Sequence, residues 1–204
     1  MAVVVLDPYE EKPLLERREG AEGSQYDEVW DGVHVMSPLP NDEHQQIATR
    51  LSGIFLNAVE WAGLGDVRAG VNLSDREEDW VSNYREPDVV VFLRETTARN
   101  LGTHWVGGPD FAVEIVSPGD WTRRKIPFYA QLATRELLLI DRQPWALELY
   151  RLREWMLEQV GRSTTDQPKP IASAVLPLTF RLIAGGPRPR IEVAHADGVQ
   201  KWAI

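Results

Sequence analysis

Glu86-Pro87-Asp88-Val89-Val90-Val91-Phe92-Leu93 is an apolar run opened by a carboxylate, and Phe111-Ala112-Val113-Glu114-Ile115-Val116 is a second run with a carboxylate inside it. Both are short and rich in Val, Ile and Phe, which is the look of strands buried on both faces. With a strand period of two, Glu114 shares a face with Ala112 and Val116, while Val113 and Ile115 point the other way. An ionised carboxylate among such neighbours costs several kcal/mol of desolvation unless it is paired or bound to a metal. Taken singly, Asp88 could cap a turn and Glu114 could be salt-bridged to an arginine. Together, 26 positions apart on adjacent strands, they favour a shared metal site.

Working outward, Glu28-Val-Trp-Asp-Gly-Val-His-Val-Met36 holds two apolar runs around Asp31-Gly32, a strong hairpin signal. Ser37 to Asp42 reads as a loop. A helix is expected from Asn41 or Asp42, with Ile47, Leu51, Ile54, Phe55 and Ala58 on one side and Gly63-Leu-Gly65 ending it. Val67 to Leu73 reads as a short strand, Asp75 to Asp79 as an exposed acidic turn, and Arg94 to Pro109 as a polar loop. Ser117 and Asp120 have capping-box spacing with Pro118 at the first helical position, while Pro127 points to a regular helix that starts later or kinks; it ends near Ala133 with Phe128, Tyr129 and Leu132 clustered. Leu137 to Asp141 and Ala146 to Leu152 read as two more strands. After Glu154, Pro168, Pro170, Pro177, Pro187 and Pro189 break the pattern into short strands and turns. The order is a mixed α/β plan with a central sheet.

The 204 residues suit one domain over 26–204 with an irregular β-rich C-terminal part, preceded by an acidic lead-in over 1–25. The chain carries 22 basic and 31 acidic side chains, net −9, and no cysteine. That excludes thiol catalysis, zinc ribbons, iron–sulfur ligation and disulfides. No apolar stretch approaches the roughly 20 residues of a membrane helix, and no signal-peptide pattern opens the chain, so a soluble cytoplasmic protein is expected. An acidic balance disfavours a general nucleic-acid coat, whose affinity comes from neutralising phosphates.

Lys125 follows the Glu114 strand by eleven residues, where it can turn back toward the carboxylates. Two acids and an ammonium suit metal-dependent phosphodiester hydrolysis: hard oxygens hold Mg²⁺, with Mn²⁺ as a substitute, and the lysine orients water or offsets developing charge. Arg94, Arg99, Arg123, Arg124 and Lys125 flank the carboxylate strands and could form a phosphate-binding mouth; Arg123 and Arg124 are the nucleic-acid contacts expected there. Trp105, Trp121 and Trp145 could stack on bases. His34 reads as structural, and His104 and His195 as loop residues without metal spacing. No phosphate loop, nucleophile elbow or dinucleotide fingerprint is present.

The blocks Glu28-Val-Trp-Asp-Gly-Val-His-Val-Met-Ser-Pro38, His44, Tyr84-Arg-Glu-Pro-Asp-Val-Val-Val91, Pro109-Asp-Phe-Ala-Val-Glu-Ile-Val-Ser-Pro118, Lys125 with Tyr129, and Glu136-Leu-Leu-Leu-Ile-Asp141 resemble the Uma-two-type restriction endonucleases of the PD-(D/E)XK nuclease superfamily. The E-x-K lysine position is Val116 here, so the likeness relies on Lys125 as a displaced lysine. The resemblance implies a restriction-endonuclease-like α/β fold with a mixed central sheet flanked by helices. It further implies metal ligation by Asp88 and Glu114, a basic catalytic role for Lys125, and Glu28 and His44 as residues that could complete the metal shell. A DNA endonuclease is expected, as a homodimer, since two symmetry-related sites cut both strands most simply. The alternatives are a catalytically silent nuclease-fold binding or assembly module, and a two-carboxylate hydrolase such as a glycosidase.

Overall fold

The computed structural model describes residues 3–4, 16, 26–119 and 121–204. The acidic lead-in and Asp120 of the expected capping box therefore lie outside the described residues, apart from 3–4 and 16 of the lead-in. A six-stranded mixed sheet forms the centre: β13 (Met156–Thr164), β12 (Trp145–Arg153), β11 (Glu136–Arg142), β10 (Phe111–Ile115), β7 (Val89–Leu93) and β4 (Gly65–Arg68), in that order. Within this sheet β10 and β11 pair in parallel and the other described pairs are antiparallel, β10 with β7 setting Val113 opposite Val89. Extending that register by one pair sets Asp88 opposite Glu114.

Alternation along these strands divides the core. Val89, Val91, Phe111, Val113 and Ile115 face one layer, where α1 (Asp42–Phe55) brings Ile47, Leu51 and Phe55. The same layer includes a C-terminal sheet of β14 (Ile171–Ala172), β15 (Leu178–Ile183), β16 (Arg190–His195) and β17 (Lys201–Ala203). Val90, Phe92, Ala112, Leu137 and Leu139 face the other layer, covered by Phe128 and Tyr129 of α2 (Ile126–Gln131). A third sheet runs β1 (Val3–Val4), β3 (Val33–Met36), β2 (Glu28–Trp30), β6 (Tyr84–Arg85), β5 (Leu73–Ser74), β9 (Trp105–Val106) and β8 (Arg99–Asn100). No helix among the described residues is long and apolar enough to cross a membrane.

The expected hairpin forms, with Asp31 and Gly32 both at positive φ in its turn. Asn41 caps α1 by accepting from His44 N–H at 3.0 Å, and a π-helical turn, Leu56–Glu60, follows before Gly63 reverses the chain at φ +71°. Of the two starts open for the second helix, the later one forms: a 3₁₀ turn starts at Thr122 and passes into α2 at Ile126, with Pro127 in its first turn, and the Ser117 side chain bonds His44 and Arg142. Three expectations need correction. The Val67-to-Leu73 strand is two elements, since Gly70 at φ +60° parts β4 from β5 and sends them to different sheets. The polar loop 94–109 contains β8 and β9. The stretch after Glu154 is more regular than its prolines suggest, because they fall between strands and leave β13, β15 and β16 with six to nine residues each.

Candidate active site

Glu114 projects from the middle of β10 toward the α2 layer and is 3% exposed. The chain returns after β10 through the 3₁₀ turn, which sets Lys125 immediately before α2, so that its Nζ lies 3.0 and 3.2 Å from Glu114 Oε1 and Oε2. Four residues later, one helical turn on, the buried Tyr129 hydroxyl donates to Glu114 Oε1. Lys125 is shared: its Nζ is 2.7 Å from Oε1 of Glu28, which is 2% exposed at the start of β2. Glu28 also accepts from Trp30 Nε1 at 2.7 Å and from the Glu86 amide at 2.9 Å. Two donors besides the ammonium thus hold Glu28 beneath it.

Asp88, at the entry to β7, accepts from Ile115 N–H at 2.6 Å through Oδ2. His44 Nε2 stands 2.6 Å from Oδ1. Asp88, Glu114, Lys125, Glu28, His44 and Glu86 all line one cleft of about 670 Å³. The five expected site residues are therefore brought together from β2, α1, β7, β10 and the turn before α2.

The electrostatics follow from crowding acids in a dry place. Burial pushes the Glu114 carboxyl up to about 8; Lys125 opposes that shift, while Asp88 and Glu28 add to it. Glu86 is pushed up to about 7, first by burial and then by Glu28, with Asp88 also adding and Lys125 opposing. For Lys125, burial alone would lower the value, but Glu114 and Glu28 outweigh it and hold the ammonium protonated well above its ordinary range. A fully protonated Glu114 would not raise Lys125, so the two directions compete. Lys125 is the group that keeps its charge, because two carboxylates contact it and one ionised partner suffices. The cleft wall thus holds four acids against one ammonium, a surplus of negative charge.

That donor set fits a hard divalent cation. Asp88 and Glu114 oxygens are hard ligands, and each has two lone pairs, so the hydrogen bonds they accept leave room for coordination. Among the described residues, no group of three or more His, Asp or Glu side chains is already arranged to hold an ion. The two acids would need further ligands from water or phosphate, which is how Mg²⁺ is ordinarily bound.

The outer candidates separate. Arg123 is committed to Glu148 at 2.5 Å and Asp141 at 2.9 Å. Arg124 lies over the Trp121 ring at 4.1 Å; both arginines line a second cavity that shares Ser117 and Trp121 with the cleft. Arg94 follows the far end of β7 from Asp88, and Arg99 pairs with Glu77, so neither joins a basic mouth. Trp105 stacks on Phe92 in the core, and Trp145 packs against the other layer under Arg188. Of the three expected tryptophans, Trp121 lines the cleft, beside Trp30 at 6.0 Å, which lines it too. His34 sits on β3; His104 stacks on Trp80 and His195 pairs with Asp197. Tyr129 and Ser117, which the sequence places in a helix core and a helix cap, and Glu86 and Arg142 join the site without a site role legible in the sequence.

A model of the Uma2 family, described as "Putative restriction endonuclease", matches residues 13–183. The chain belongs to this family. A protein of Anabaena variabilis, described as a putative nuclease belonging to DUF820, has a crystal structure similar to this Uma2 chain at a TM-score of 0.59. Its identity is 18%, and the likeness covers 78% of this chain and 88% of that one; at that identity the likeness is one of fold. No curated protein matches the chain.

Proposed function

We propose that this Uma2 chain is a divalent-metal-dependent endonuclease that hydrolyses phosphodiester bonds in DNA. The observation that carries the reading is the convergence of Asp88, Glu114 and Lys125 on one cleft from three separate elements. Asp88 and Glu114 are the residues that would hold Mg²⁺ or Mn²⁺. Such an ion, when bound, lowers the pKa of water and offsets charge on the phosphate.

The chain's own groups supply the rest. Lys125 is held too firmly protonated to accept a proton, so it acts as a fixed positive charge and hydrogen-bond donor at Nζ toward the attacked phosphate or water. Glu28 keeps that ammonium in place and is itself held by two further donors, Trp30 Nε1–H and the Glu86 amide. Tyr129 fixes the rotamer of Glu114, and His44 that of Asp88. Arg124, which has no carboxylate partner among the described residues, is the better of the two expected arginines for a phosphate contact. A homodimer acting in the cytoplasm would place two such sites on one duplex.

The test is supercoiled-plasmid cleavage with Mg²⁺ or Mn²⁺, with and without chelator, for the wild type, Asp88→Asn and Lys125→Met. Metal-dependent nicking that both variants lose by at least about 100-fold supports the reading. The Lys125–Glu114 ion pair also suits a silent binding module. DNA binding with neither cleavage nor metal uptake would place that reading first.

A further inference from the structure

His44 and Asp88 are backed by a cluster centred on Arg142, a residue that no sequence motif singled out. Asp88 Oδ1 lies 2.6 Å from His44 Nε2, a distance that needs a proton between them, and in such a pair the ring N–H is the donor and the carboxylate oxygen the acceptor. Nε2 therefore carries the proton and donates. The other ring nitrogen faces Ser117 Oγ at 3.3 Å. Both nitrogens are thus directed at protein atoms rather than at the open cleft.

Arg142 ends β11 with its side chain 5% exposed. Its Nη2 donates to Ser117 Oγ at 3.2 Å and its Nε to the Val116 carbonyl at 3.3 Å. Its Nη1 donates to Asn41 Oδ1 at 2.8 Å and reaches Glu43 at 3.2 Å. Asn41 Oδ1 in turn accepts from the His44 amide at 3.0 Å. The contacts close a ring: Arg142 to Asn41 to the His44 backbone, then the His44 ring to Ser117 and back to Arg142. A guanidinium offers donors in a rigid planar fork and no acceptor, so it can hold these oxygens in only one arrangement.

We propose that Arg142, acting through Ser117 and Asn41, clamps the His44 imidazole as a fixed Nε2–H donor to Asp88. His44 is then a positioning residue and not a ligand. Only the metal-affinity arm of the test rests on Asp88 being a ligand. Removing outer partners of metal-ligating groups typically weakens metal affinity on the order of 10–100-fold.

The experiment compares the full-length wild type with Arg142→Lys and Ser117→Ala. Nitrogen-15 spectra of the His44 ring are recorded alongside calorimetric Mn²⁺ titrations. The wild type should show one ring state with the proton on Nε2. Both variants should show altered or mixed tautomer signals, and the Mn²⁺ Kd should rise by about 10–100-fold. A merely structural Arg142 would lower the unfolding midpoint and leave the His44 signals of Ser117→Ala as in the wild type. Unchanged signals and unchanged Mn²⁺ affinity in both variants would overturn the clamp, as would a wild-type ring protonated on Nδ1 alone. If the wild type takes up no Mn²⁺, the metal reading falls, and the ring signals still decide the clamp.

Discussion

Replacing Lys125 by methionine keeps most of the side-chain volume and removes the one ammonium between Glu28 and Glu114. Both carboxylates are nearly inaccessible, at 2% and 3% exposure, and Nζ lies within 3.0 Å of an oxygen of each. Breaking a buried pair by deleting one partner costs about 3–5 kcal/mol, because a bare buried charge is left behind. Here the charge can be shed by taking up a proton on Glu114, whose carboxyl is already pushed up to about 8. With the cation gone, its folded-state value rises further above the unfolded one. A folded state that binds an extra proton is favoured at low pH and loses that advantage as pH rises through the folded pKa. The deficit should therefore be small at about pH 5, begin to grow above about pH 8 where wild-type Glu114 ionises, and approach about 3–5 kcal/mol only as the pH nears the variant's own higher value. Urea unfolding at about pH 5 and at rising pH above about 8, with a constant m, reads the difference. Adding Glu28→Gln removes the surplus charge, so the double variant should be more stable than the sum of the singles by about 1–3 kcal/mol. A pH-independent loss below about 1 kcal/mol, as for an exposed pair, with additive singles, would refute the reasoning.

Tyr129→Phe removes a buried donor to Glu114 and should cost about 1–3 kcal/mol by thermal or urea unfolding. Arg123→Ala strips Glu148, which is 7% exposed, of its nearer guanidinium and should lower stability with little change in DNA affinity. Arg124→Ala should do the reverse, holding stability within about 0.5 kcal/mol and reducing the slope of log affinity against log salt by about 1 in a fluorescence-anisotropy titration. Gly32→Ala meets no atom within 4 Å but must keep φ +81°, so it should lose about 1–2 kcal/mol through backbone strain alone.

Local signals were legible and distant ones were not. Asp31-Gly32 announced a hairpin, Asn41 a helix start, and the Val/Ile/Phe runs their strands, because each of these depends on neighbours a few residues apart. The two-residue strands β5, β8 and β9 carry no periodicity and exist only through pairing partners far along the chain. Burial of a carboxylate could be inferred for Glu114 from its apolar neighbours. Asp110, Glu136 and Glu148 are buried too and are neutralised in part by Arg135, Arg151 and Arg123. What distinguished Asp88 with Glu114 was their place in two apolar runs, which with Lys125 eleven residues on suggested one site, and the likeness to a family pointed to the same three residues. Tyr129 read as helix core because a residue four after Lys125 faces the sheet whether or not its hydroxyl has work to do. The Arg142–Ser117–His44 connection spans separations of 25 and 73 residues and leaves no mark on local pattern.

An anomalous difference map from crystals grown with Mn²⁺ would examine the two-acid centre itself. The expected result is a single strong peak within ligand distance of one oxygen of Asp88 and one of Glu114, with His44 still donating to Asp88 and Lys125 still beside Glu28. A map empty at saturating Mn²⁺, or a peak confined to surface acids such as Glu77 and Asp79, would contradict it.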